Sequence, residues 1–239
     1  MQKKAIVVGA TSGMGKALAE RLVANNYKVG VTGRREAHLH ALEKLYPNQV
    51  IAQCMDIQNT THTLKQLEEL KATLGGLDLL VISAGVGDLN PRLDITIESQ
   101  TIATNVTAFT AVADWAFTVF GQQGSGHLAA ITSIAGIRGG RHAPAYNASK
   151  AYQINYLEGL RQRAANAKID IALTDLRPGF VATEMAKGEG LFWVMPVQKA
   201  AYQIFTAINR KRKVAYITSR WGIIAGILKI IPLAIHKNM

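Results

Sequence analysis

The apolar positions of this chain fall into two alternating patterns. Short runs that are apolar nearly throughout, at residues 5–8, 28–32, 50–55, 77–83, 127–132, 170–176 and 214–218, suit strands buried on both faces. Between them, at 13–25, 35–46, 61–74, 96–120, 145–165 and 197–209, apolar residues recur at helical spacing. This alternation predicts a doubly wound α/β fold, with a parallel sheet of about seven strands covered by helices on both faces. No internal repeat, low-complexity tract or long Pro/Gly-rich linker divides the sequence, so a single domain is expected over 1–239.

In such sheets ligands bind beyond the carboxyl ends of the strands, and the chemistry is sought in those loops. The first, VVGATSGMGKALAERL, places Gly9, Gly13 and Gly15 between a strand and its helix. Glycines there permit a tight turn and let backbone N–H groups approach a pyrophosphate at the positive end of the helix. The stretch also nearly spells a P-loop. However, Ala10 and Ala17 stand where that motif needs glycine and a magnesium-binding hydroxyl, which argues against a nucleotide triphosphatase. A second stretch, AYNASKAY, sets Tyr146 and Lys150 four positions apart, so that a phenol and an ammonium on one helix face reach the same small volume. Alone, this spacing is a common surface pattern; beside a glycine-rich turn it becomes a candidate proton-handling pair.

Composition narrows the choices. The 239 residues are 49% hydrophobic, enough for a sizeable core. One cysteine, Cys54, excludes an intrachain disulfide and fits a reducing compartment, hence a cytoplasmic location. The apolar run after MQKK is too short for a signal peptide. His38 and His40, two apart on a helix, point to different sides, and no metal site is expected. The net charge is +11, yet residues 190–239 hold eight basic residues and no acidic one. Without zinc-finger spacing, aromatic–basic interleaving or a recognition-helix pattern, no nucleic-acid partner is expected.

Seven motifs stand in a telling order: G-x-x-x-G-x-G, Asp56 after the third strand, SAG at 83–85, TNV at 104–106, ITSIAG at 131–136, YNASK at 146–150 and RPGFVATEM at 177–185. In order and spacing they resemble the classical branch of the short-chain dehydrogenase/reductase family. The resemblance covers about residues 4–185, and it implies a Rossmann fold and an oxidoreductase that interconverts a carbonyl and an alcohol by hydride transfer. Tyr146 would be the acid/base and Lys150 would favour its phenolate and hold the nicotinamide ribose. Ser133 would hold the substrate oxygen, and Asn105 would bend its helix and hold a water linking Lys150 to solvent. Cofactor contacts would come from Gly9, Thr11, Ser12, Gly13, Met14 and Gly15 in the first turn, and from Asp56 and Ile57 at the adenine. Ala84 and Gly85 would line the cofactor wall, and Pro178, Gly179, Val181 and Thr183 would meet the nicotinamide end, with Tyr146 and Lys150. One departure is local: Ile82 and Ser83 stand where the family commonly has two asparagines.

Cofactor choice is read at the end of the second strand. NAD-preferring proteins usually place an acid there, whereas this chain has Gly33 followed by Arg34 and Arg35, which favours NADP(H) over NAD(H). The resemblance also implies a homodimer or homotetramer through the long helices and a substrate lid at 185–196. Leu191, Phe192, Trp193, Val194 and Met195 would give that lid an apolar face, either for a lipophilic substrate or for a subunit contact. The tail at 219–239 carries an apolar run over 221–235, about 22 Å as a helix and too short to span a bilayer. It either packs back on the fold or makes weak peripheral contact with an anionic membrane surface. A non-catalytic dinucleotide-binding regulatory protein on the same fold is the alternative function.

Overall fold

The computed structural model describes residues 2–184 and 192–236. Seven strands form one parallel sheet in the order β3-β2-β1-β4-β5-β6-β7: β1 Lys3–Val8, β2 Tyr27–Gly33, β3 Val50–Cys54, β4 Leu79–Ile82, β5 Ser125–Ile131, β6 Asp170–Pro178 and β7 Val214–Ile217. The unbroken apolar runs follow from burial on both sides. In β1, Ala5 and Val7 enter one core and Ile6 and Val8 the other, and all four are fully buried.

The first core is closed by α1 Gly13–Ala24, α2 Glu36–Leu45 and α7 Val197–Asn209. The second is closed by α3 Thr60–Leu74, α5 Phe109–Gln123 and α6 Pro144–Ala167. The chain leaves β1 for β2 and β3 and returns to β4, so the sheet order reverses between β1 and β4. The crevice beyond their carboxyl ends is the expected ligand position.

Three differences from the sequence expectation bear on the site and its surroundings. The helix expected over 96–120 is α4 Ile95–Ile102, a π-helical stretch Ala103–Ala108, and then α5. β6 runs two residues further than expected, to Pro178, because Asp175 and Pro178 still pair with Val214 and Ile217 of β7. The tail is helical: α8 Ser219–Ile230 precedes a short α9 Leu233–His236. Among the described residues, no helix is long and apolar enough to cross a membrane.

Candidate active site

The turn between β1 and α1 is shaped by backbone contact. A Cβ at Gly15 would lie 2.1 Å from the Gly9 carbonyl oxygen, and Gly9 itself has φ +90. Only glycine lets the helix start so close to the strand end. Ser12 is the N-cap of α1 but makes no side-chain cap bond, and the first turn carries no acid, so its N–H groups suit an anion. Met14 packs into the first core, and a Cβ at Gly13 would lie 3.3 Å from Thr183 Cγ2, where both residues border a cavity of about 290 Å³. This arrangement fits a dinucleotide pyrophosphate.

Arg35 organises the same turn. Its Nη2 donates to Thr11 Oγ1 at 2.9 Å and to Ser12 Oγ at 2.5 Å, and its Nη1 lies 3.6 Å from a Glu184 carboxylate oxygen. Arg34, the other basic candidate, is exposed as Arg35 is. A Cβ at Gly33 would meet Thr11 Cγ2 at 2.5 Å, so an acidic side chain there is crowded out by a threonine that Arg35 already holds. His38, set aside in the sequence, has Nδ1 3.1 Å from the Thr11 carbonyl oxygen and supports the same loop. Asp56 is exposed and accepts from the Gln58 backbone through Oδ1, above the buried Ile57.

On the other side of the crevice, Asn105, Ser133, Tyr146 and Lys150 come together. Pro144 starts α6 at the position where a missing N–H costs nothing, and Glu98 on α4 accepts from the Ala145 N–H at 3.0 Å. Tyr146 and Lys150 therefore leave the first turns of α6 on one face, with Lys150 Nζ 5.8 Å from the Tyr146 ring centre. Ser133 opens the short 3₁₀ turn Ile134–Ile137, where its Oγ accepts from the Ala135 N–H, and it lies near enough to the Tyr146 phenol to lower its pKa. Asn147 anchors this turn by donating to the carbonyls of Ala135 and Arg138.

Asn105 is fully buried in the π-helical stretch and uses its whole amide. Nδ2 donates to Val86 O at 2.7 Å and to Ser149 Oγ at 3.0 Å, and Oδ1 accepts from Val86 N at 2.9 Å. It ties the Ala84–Gly85 turn to α6; a Cβ on Gly85 would lie 3.3 Å from Asn105 Oδ1 and 3.4 Å from Lys150 Nζ.

Burial sets the electrostatics. It pushes the Tyr146 phenol above its ordinary range, and the nearby Ser133 hydroxyl pulls it back. Lys150, 4% exposed, is held down to about 8 by burial, while the carboxylate of Asp175 acts in the opposite sense. Asp175 is itself wholly buried. It accepts from Thr132 Oγ1 at 2.5 Å and from Arg177 Nε at 2.7 Å, and Arg177 Nη1 donates to Tyr216. The sequence reading passed over this pair. Two charged residues at i and i+2 in an otherwise apolar strand, TDLR, were its available signal.

The nicotinamide-end candidates after β6 are engaged within the protein. Val181 is buried and pairs with Met195, while Ala182 N donates to Met195 O at 2.9 Å. Pro178 ends β6 paired with Ile217, and a Cβ at Gly179 would fall 2.0 Å from the Trp221 ring. Of the expected lid at 185–196, residues 185–191, including Leu191, lie outside the described residues. Phe192 and Trp193, about half exposed, form an aromatic cluster with Phe180 and Trp221, with ring centres 5.2 to 5.9 Å apart. Trp221 is buried, so α8 packs against the rim of the site, and Arg138 adds a hydrogen bond to the Ile231 carbonyl.

Comparison with known proteins agrees with this geometry. The family model for short chain dehydrogenases matches residues 3–191, and the chain belongs to that family. It is 34% identical over 188 residues to an uncharacterized oxidoreductase of Myxococcus xanthus, covering 77% of this chain and 74% of that one. An uncharacterized oxidoreductase of Mycobacterium tuberculosis is 32% identical over 221 residues, covering 88% and 86%. Among solved structures, a short chain dehydrogenase/reductase from Burkholderia phymatum in complex with NAD superposes with TM-score 0.82 at 20% identity, covering 94% and 92%. ElxO with NADP bound superposes with TM-score 0.79 at 22% identity, covering 91% and 97%. The protein is an oxidoreductase of short-chain dehydrogenase type on an NAD(P)-binding fold.

Proposed function

We propose that the protein is an NADP(H)-dependent enzyme that interconverts a lipophilic carbonyl and its alcohol, with Tyr146 as the acid/base. The observation that carries this reading is the meeting of Ser133, Tyr146 and Lys150 across the crevice from the glycine turn. Gly9, Gly13, Gly15, Thr11 and Ser12 would hold a nicotinamide dinucleotide, which when bound would supply or take the hydride. In reduction, the carbonyl oxygen accepts the phenolic proton of Tyr146, which Ser133 aligns by hydrogen bonding, and the Lys150 charge steadies the phenolate left behind. In oxidation, the phenolate takes the alcohol proton. Arg35 with the Thr11 and Ser12 hydroxyls supports a 2′-phosphate, and the crowding at Gly33 disfavours the acid that a free ribose hydroxyl would want. The aromatic cluster at the rim favours an apolar substrate.

The charge on Lys150 gives a test. Its ammonium is present below about 8 and lost above, so NADPH-linked carbonyl reduction should be steady below that pH and decline as pH rises through it. A pH profile of turnover checks this, and a rate that stays flat well beyond that point contradicts the assigned role.

Two partner readings accompany the enzyme. A homo-oligomer through α5 and α6 is read from the family resemblance; on this seam Tyr152 and Tyr156 of α6, partly exposed, stack with ring centres 5.5 Å apart and hydrogen bond to Thr110 and Asp114 of α5, and a monomer by light scattering contradicts the oligomer. The protein is read as cytoplasmic with weak peripheral membrane contact. Packing and contact are compatible, because the inner face of α8 holds Trp221 and Ala225 while Ile223 (68% exposed), Ile230 (80%) and Leu233 (73%) face outward beside Arg220 and Lys229. Weak, salt-sensitive flotation with phosphatidylserine liposomes is expected, and it should be lost when Ile223, Ile230 and Leu233 are changed together to Glu. Absence of flotation at low salt refutes the membrane contact.

A further inference from the structure

Gln153 lies three residues after Lys150 on α6 and is 1% exposed. The buried residues that follow on this helix are Leu157, Leu160 and Ala164, so position 153 continues an apolar stripe into which leucine would pack without difficulty. An amide there is unfavourable unless both ends find partners. Both do. Gln153 Oε1 accepts from Lys150 Nζ at 3.0 Å, and Gln153 Nε2 donates to the Asn105 backbone carbonyl at 2.9 Å. A lysine ammonium has three donors, and a second one here goes to Ile131 O at 3.1 Å.

We infer that Gln153 is a positioning residue for the Tyr146–Lys150 pair: its amide orients the Lys150 ammonium and ties it to the π-helical backbone at Asn105. It stands directly between the two groups that the family resemblance joins through a water. The Asn105 carbonyl is thereby engaged by a side chain, and Lys150 is held by the protein on two of its three donors.

The inference rests on the catalytic reading of Tyr146 and Lys150, but its test does not need a substrate. Around Lys150 the titratable and charged groups among the described residues are Tyr146 on its own helix and, from β6, Asp175 with its partner Arg177. None of these changes when Gln153 is replaced. In protein labelled with ¹³C-lysine, the Lys150 Cε resonance, assigned with Lys150→Met, is titrated against pH in the parent, Gln153→Leu and Gln153→Glu. Loss of the acceptor in Gln153→Leu should lower the midpoint by about one pH unit, and the added carboxylate in Gln153→Glu should raise it by a similar amount. Where turnover is measured, the alkaline limb of reduction should move in the same two directions. Circular dichroism establishes that each variant is folded, and Gln153→Met replaces a variant that is not, with the shift expected of Leu. A midpoint common to all the folded proteins, or a shift of the same sign with Leu and Glu, overturns the inference, because a purely structural amide would change only stability. A protein whose Lys150 midpoints move as expected but which turns over no carbonyl or alcohol refutes the functional proposal and leaves the positioning role intact.

Discussion

Tyr146→Phe is expected to lower turnover by roughly a thousandfold while leaving NADPH affinity within about twofold of the parent, since a well-placed general acid contributes on the order of 10²–10⁴. The substitution removes one hydroxyl. The ring, packed half-buried against its neighbours, and the Lys150 ammonium 5.8 Å from its centre stay in place. Steady-state kinetics give the loss and NADPH fluorescence gives the binding. Activity near the parent rate would show that the proton comes from elsewhere and that the Ser133–Tyr146 contact has no catalytic meaning.

The second large effect is expected at Arg35. Its guanidinium is the charged group already bonded to both hydroxyls of the first turn, so Arg35→Ala should weaken NADPH binding by about ten- to a hundredfold and leave NADH nearly unchanged. Arg34→Ala, which removes an exposed side chain, should have a smaller effect. Parent protein that binds NADPH and NADH equally would contradict the charge argument at its root.

How much of this was legible in the sequence depended on how locally each feature is determined. The buried strands announced themselves because a strand covered on both faces must be apolar at every position, as Ile6, Val7 and Val8 are. Tyr146 and Lys150 were legible because helical spacing fixes their shared face. Arg35 was named together with Arg34, but a string cannot say which of two adjacent side chains turns back to Thr11. The supporting partners were not legible for a related reason. Glu98 meets Ala145, Gln153 meets Asn105, and Asn147 meets Arg138 across distances in sequence that only the folded chain closes. The π-helical stretch at Ala103–Ala108 was read as a bend at Asn105, since its register change leaves little mark on the apolar pattern. In the tail, the sequence left packing on the fold and membrane contact as alternatives; the folded chain buries Trp221 and leaves Ile223 outward.

The most direct measurement of the central claim is a panel of lipophilic aldehydes, ketones and alcohols followed by NADPH absorbance, with product identified by mass spectrometry. The expected result is stoichiometric conversion of at least one carbonyl to its alcohol as NADPH is consumed, with a slower rate on NADH. Tight NADPH binding with no turnover of any member in either direction would contradict it, and would make the protein a dinucleotide-binding module whose Ser133, Tyr146 and Lys150 do no chemistry.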